Sequence, residues 1–62
     1  MWGIIHQASG QPADLLLEES QTQAMARIGE MVRTGVRVLQ LRRPDNSIAL
    51  DTPAIRARFG WR

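Results

Sequence analysis

Ala13-Asp14-Leu15-Leu16-Leu17-Glu18-Glu19-Ser20-Gln21-Thr22-Gln23 can be built in two ways, and the choice settles the fold. A short apolar run suits a buried strand and the first turns of a helix equally well. Read as helix, with Pro12 at the first helical position, the segment merges with residues 21–34 into one long helix from about residue 12 to 34. Read as strand, it stops at Ser20, where a serine followed three positions later by Gln23 has the form of a capping box. The box puts a helix start after the leucines rather than before them, so the strand reading is preferred.

Upstream, Trp2-Gly3-Ile4-Ile5-His6-Gln7 is a β-rich run that ends in the turn formers Ala8-Ser9-Gly10-Gln11-Pro12. Strand alternation places Trp2, Ile4 and His6 on one face, which the indole marks as the inward one. Residues 2–7 and 13–18 then form a hairpin. Downstream, from Gln21 to Thr34, Ala24, Met25, Ile28, Met31 and Val32 recur at helical spacing, with Arg27, Glu30 and Arg33 on the other side. Glu30 stands three residues from both arginines, within reach of each. Gly35 is placed to end the helix in the left-handed conformation. Gly29 interrupts its middle, where glycine costs roughly 1 kcal/mol against alanine, so a close backbone approach to the sheet is expected there.

Val36-Arg37-Val38-Leu39-Gln40-Leu41-Arg42 and Ser47-Ile48-Ala49-Leu50-Asp51 flank Arg43-Pro44-Asp45-Asn46. Proline at the second turn position fixes φ, and Asp and Asn behind it bond their own backbone, so a second hairpin is expected. Its first strand carries apolar side chains on both faces, Val36 and Val38 against Leu39 and Leu41, which calls for a sheet covered on both sides or for a bulge. Thr52 before Pro53 reads as a helix cap, and Ile55 and Phe59 lie four apart ahead of Gly60. Trp61 near the end is read as a lid on the small core. The expectation is one α+β domain over residues 1–62: a small antiparallel sheet in ββαββ order, one central amphipathic helix and a short C-terminal helix. The alternative is βαββα.

A domain of 62 residues has a thin core, and small scaffolds usually add disulfides, a metal or a partner subunit. With no cysteine and one histidine, neither a disulfide framework nor an unaided metal site is expected. Self-association is the support that remains. One central helix covers one face of a sheet, which gives a second reason to expect a homo-oligomer or a protein partner on the other face. No apolar run approaches the ~20 residues of a membrane span, and MWGIIHQ lacks the plan of a signal peptide, so a cytoplasmic protein without membrane attachment is expected.

Catalytic chemistry has little to stand on. His6, Ser9 and Asp14 are the residue types of a nucleophilic triad, but a flexible turn between them offers no rigid frame. Glu18 and Glu19, adjacent on a strand, point to opposite faces. No glycine-rich phosphate loop or dinucleotide fingerprint occurs, so no cofactor and no enzyme activity are expected.

Charge is the remaining signal. Residues 1–31 carry four carboxylates against Arg27, a net of −3, whereas residues 32–62 carry seven arginines against Asp45 and Asp51, a net of +5. All the basic residues are arginine, the side chain suited to bidentate contact with phosphate or carboxylate. Arg37, Arg42 and Arg43 lie on or beside the second hairpin, and Arg56, Arg58 and Arg62 on the terminal segment. If the two groups converge, they form a nucleic-acid-binding patch. The leading expectation is a small self-associating protein-interaction module of accessory or regulatory type without catalytic activity; the alternative is an arginine-dependent nucleic-acid binder.

Overall fold

The computed structural model describes Met1–Gly60; Trp61, read as a lid, and Arg62, read as a phosphate ligand, lie outside the described residues. The elements are β1 (Trp2–Gln7), β2 (Asp14–Glu18), α1 (Gln21–Arg33), β3 (Arg37–Arg42), β4 (Ile48–Leu50) and α2 (Thr52–Phe59). The order is ββαββα, an α+β fold, and the leucine run is a strand. Four strands make one antiparallel sheet in the order β2-β1-β3-β4.

That order dictates where the helices go. With β1 antiparallel to both neighbours, β2 and β3 run parallel on either side of it, so the chain from β2 to β3 must cross over β1. Helix α1 makes the crossing. Ser20 starts it, its Oγ accepting the Gln23 N–H at 3.1 Å. Gly35, at φ 89°, ends it: the Val36 N–H reaches back to the Met31 carbonyl at 2.9 Å and the Gly35 N–H to Val32 at 3.2 Å, the two bonds of a Schellman motif.

Helix α2 lies on the same face as α1, because Ile55 shares one core with Ala24 and Ile28 of α1 and with Ile4, Val38 and Leu41 of the sheet. These six are at most 1 % exposed, and Trp2, Leu16, Met25, Met31 and Phe59 pack around them. The face of β1 that holds Trp2 and Ile4 is the inward one. Both methionines of α1 fill core.

The mixed apolar pattern of β3 resolves into a bulge rather than a second covered face. Ile5 pairs with Gln40, but the next residue, His6, pairs with Val38, so Leu39 is an extra residue without an opposite number on β1. The insertion lets Val38 and Leu41, three apart, both point into the core. A second slip, with Leu41 opposite Leu50 and Arg42 opposite Ile48, leaves Ala49 as the extra residue of β4.

The β3–β4 turn obeys its sequence. The Asn46 N–H donates to the Arg43 carbonyl and the Arg43 N–H to the Ser47 carbonyl, both at 2.8 Å, with Asn46 at φ 73°. Asp45 Oδ1 accepts the Ser47 N–H at 2.9 Å and its hydroxyl at 2.6 Å. These donations, the hydroxyl's foremost, hold the Asp45 carboxyl below its usual range.

Three local expectations need correction. The cap of α2 is Asp51, whose carboxylate accepts the Ala54 N–H at 3.0 Å, while Thr52 turns its hydroxyl to the carbonyl of Leu39. Arg27 pairs with Glu18 on β2 at 3.1 Å instead of with Glu30, because the crossing of α1 over the sheet brings that strand within reach. Gly29 faces α2, not the sheet: a Cβ built there would lie 3.7 Å from the Phe59 ring, an ordinary contact. Space therefore does not demand glycine, and Gly29→Ala should raise stability by about 0.5–1 kcal/mol through helix propensity alone. Urea unfolding followed by circular dichroism measures it; a loss of stability would show that α1 and α2 are closer than this geometry.

Candidate functional site

Two surfaces carry chemistry, the sheet face opposite the helices and a groove between the helices at one end of the sheet. On the helix-free face, residues opposite one another across the ladder form rows. Leu17, Gly3 and Arg42 make one row; Leu15, Ile5 and Gln40 make the next. Gly3 is buried beneath this row, and a Cβ there would meet Leu15 Cδ1 at 3.0 Å, Arg42 Cβ at 3.8 Å and Leu17 Cδ2 at 3.9 Å. The glycine thus lets two leucines lean together over the first strand. They remain half exposed, Leu15 at 50 % and Leu17 at 52 %, as does Ile48 on β4 at 49 %. Arg42 lies across the same face, its Nε donating to Gln40 Oε1 at 3.2 Å and its Nη1 to Asn46 Oδ1 at 3.4 Å. Arg37 stands on that face opposite Gln7. The surface has an apolar side on β1 and β2, a polar stripe of Arg37, Gln40 and Arg42 on β3, and Ile48 beyond that stripe on β4.

The two sheet edges differ. Strand β4 is three residues long, is bulged at Ala49, and has its Ile48 carbonyl covered by Arg43 Nη1 at 2.9 Å, all devices that discourage edge pairing. Strand β2 is longer and unbulged, and its Leu15 N–H is held by the Asp14 carboxylate at 2.8 Å.

The groove lies on the helix side. It measures about 200 Å³ and takes its walls from Trp2, Gln21, Met25, Leu41, Arg43, Ala49, Leu50 and Arg58. Here the two arginine groups meet, but only through Arg43 and Arg58. Arg37 and Arg42 belong to the opposite face, and Arg56 is exposed on α2 outside the groove. The five described arginines grouped by sequence are therefore spread over separate surfaces, because β3 alternates its faces and α2 turns its residues by 100° each. A single phosphate-tracking patch does not form among the described residues. Among the described residues an aromatic stacking platform is missing from the helix-free face too, since Trp2 and Phe59 pack against the core.

His6 and Asp14 are cross-strand neighbours, while Ser9 sits in the turn beyond them. His6 Nδ1 is buried without a hydrogen-bond partner among the described residues, so no nucleophile–base–orienter chain is assembled. Among the described residues no three His, Asp or Glu side chains are grouped to hold a metal ion, and no helix is long and apolar enough to cross a membrane. Sequence reasoning missed the groove's apolar walls: Trp2 and Met25 read as core and Leu50 as part of the second hairpin, and their spacing along the chain gives no sign that they share an opening with arginines. No family model, no curated protein sequence and no solved structure matches this chain, so its function rests on the chemistry of these two surfaces.

Proposed function

We propose that this chain is a small self-associating protein-interaction module that acts through the helix-free face of its sheet, with a second copy as the first occupant of that face. The observation that carries the reading is the half-exposed pair Leu15 and Leu17 beside Gly3 and Ile5, with half-exposed Ile48 at the far edge of the sheet, on a face that neither helix covers. Size supports it. A standard interface takes roughly 800 Å² from each partner. That is about a fifth of the 4191 Å² this chain exposes. A core of six fully buried side chains gains from burying three more, and Gln40 and Arg42 on the strand between them supply polar contacts of the kind such interfaces carry.

The test is sedimentation equilibrium over a range of concentrations. The 7.0 kDa chain is expected to rise to twice that mass. Leu15→Thr with Leu17→Thr keeps strand propensity while removing the apolar side of that face, and should weaken association at least ~10-fold, about 1.4 kcal/mol. A chain that stays at the monomer mass at millimolar concentration overturns self-association.

A further inference from the structure

We propose that the groove between α1, α2 and the end of the sheet binds a small oxyanion, carboxylate or phosphate, that carries an apolar group about the size of one large side chain. The groove has two kinds of wall. Trp2, Met25 and Leu50 give it an apolar floor, and Arg43 and Arg58 enter from separate elements, the β3–β4 turn and the last turn of α2.

Among the described residues the groove itself holds no counterion for Arg58, and Arg43 feels the carboxylate of Asp45 across the turn. No carboxylate among the described residues lines the groove. The acids nearest these arginines in sequence hydrogen-bond elsewhere, Asp45 to Ser47, with Arg43 a lesser electrostatic influence on it, and Asp51 to the start of α2. Arg58 makes no hydrogen bond or ion pair among the described residues. Arg43 is held in place, its Nη1 donating to Ser47 Oγ at 3.2 Å and to the Ile48 carbonyl at 2.9 Å, which fixes the guanidinium and leaves its other N–H groups for a ligand. A fixed guanidinium beside one without a partner among the described residues suits an oxyanion with several acceptor lone pairs. The apolar floor then favours an anion with a hydrophobic body over a bare one. At about 200 Å³ the groove has room for a ring or a branched chain with its head group.

Phenyl phosphate and phenylacetate are the probes, with inorganic phosphate and phenol as their separated halves. Trp61→Phe leaves Trp2 as the single indole reporter, and ¹H–¹⁵N spectra of the unaltered chain track the same titrations independently. At least one joined anion should bind ten-fold or more tighter than either half, with shifts centred on Gln21, Met25 and Leu50; the tighter of the two names the head group. Arg58→Gln should weaken it at least ten-fold with an unchanged circular dichroism spectrum, whereas Arg33→Gln, on α1 outside the groove, should leave it unaltered. Inorganic phosphate binding as tightly as phenyl phosphate, or no response to Arg58→Gln, overturns the proposal. So does a single-stranded oligonucleotide that binds in a salt-steep manner while neither small anion does. Loss of dimerisation in Leu15→Thr/Leu17→Thr leaves these titrations untouched, so the two surfaces are tested separately.

Discussion

Ile28→Ala should leave most of the chain unfolded at 37 °C. Ile28 is fully buried in the middle of α1, where it joins the helix to the sheet and to Ile55 of α2. Truncation removes three carbons from a site walled by rigid neighbours, and such buried substitutions cost about 2–5 kcal/mol, through lost transfer energy and the cavity left behind. A core of this size supplies roughly 3–5 kcal/mol in all. The loss and the reserve are equal in scale, so the effect reads as a population change and not merely a shifted midpoint. Urea titration by circular dichroism, run at low concentration so that assembly does not add stability, gives the number. Ile48→Thr, on the helix-free face, is the matched control and should cost under about 0.5 kcal/mol in the same measurement. If the two variants unfold alike, α1 does not dock on the sheet through Ile28.

Much of this core is legible in the sequence because it depends on local periodicities. The helical spacing of Ala24, Met25, Ile28, Met31 and Val32 is visible without a partner surface, and the capping serine and terminal glycine bracket it. Strand β1 declares its inward face through Trp2 and Ile4. The leucine run is ambiguous only until Ser20 is read as a cap, since a helix cannot both begin there and run through it.

What the sequence withholds is whatever depends on elements distant along the chain. Gly29 signals that something comes close, but a glycine cannot say whether a strand or a second helix approaches. The preference of Arg27 for Glu18 over Glu30 reflects the crossing angle of α1, a tertiary quantity that overrides i,i+3 geometry on an exposed helix. The arginine clusters mislead for a related reason. Neighbours on a strand point apart, so Arg42 and Arg43, adjacent in sequence, serve opposite surfaces of the molecule. The groove is invisible for the same cause: its floor is made of residues whose apolar character already has an explanation.

Thr52→Val tests the least expected contact in the fold, and should destabilise the chain by about 1–3 kcal/mol although it changes neither volume nor branching. The bulge leaves Leu39 without a partner on β1, and β4 ends at Leu50, opposite Leu41. No strand residue of β4 is left to serve the Leu39 carbonyl; the Thr52 hydroxyl does so, at 2.6 Å across a part-buried gap. One side chain thus completes the sheet and fastens the start of α2, the helix that brings Ile55 and Phe59 onto the core. Valine would leave the carbonyl facing a methyl group, with no donor and restricted access to water. Thr52→Ser keeps the donor and loses one methyl, so it should cost less than valine, an ordering opposite to that of a purely apolar site. Amide exchange locates the effect: protection should fall first in α2, ahead of β1 and α1. Valine as stable as threonine, or serine worse than valine, would mean that the bulge carbonyl is satisfied by other means and that α2 is held by packing alone.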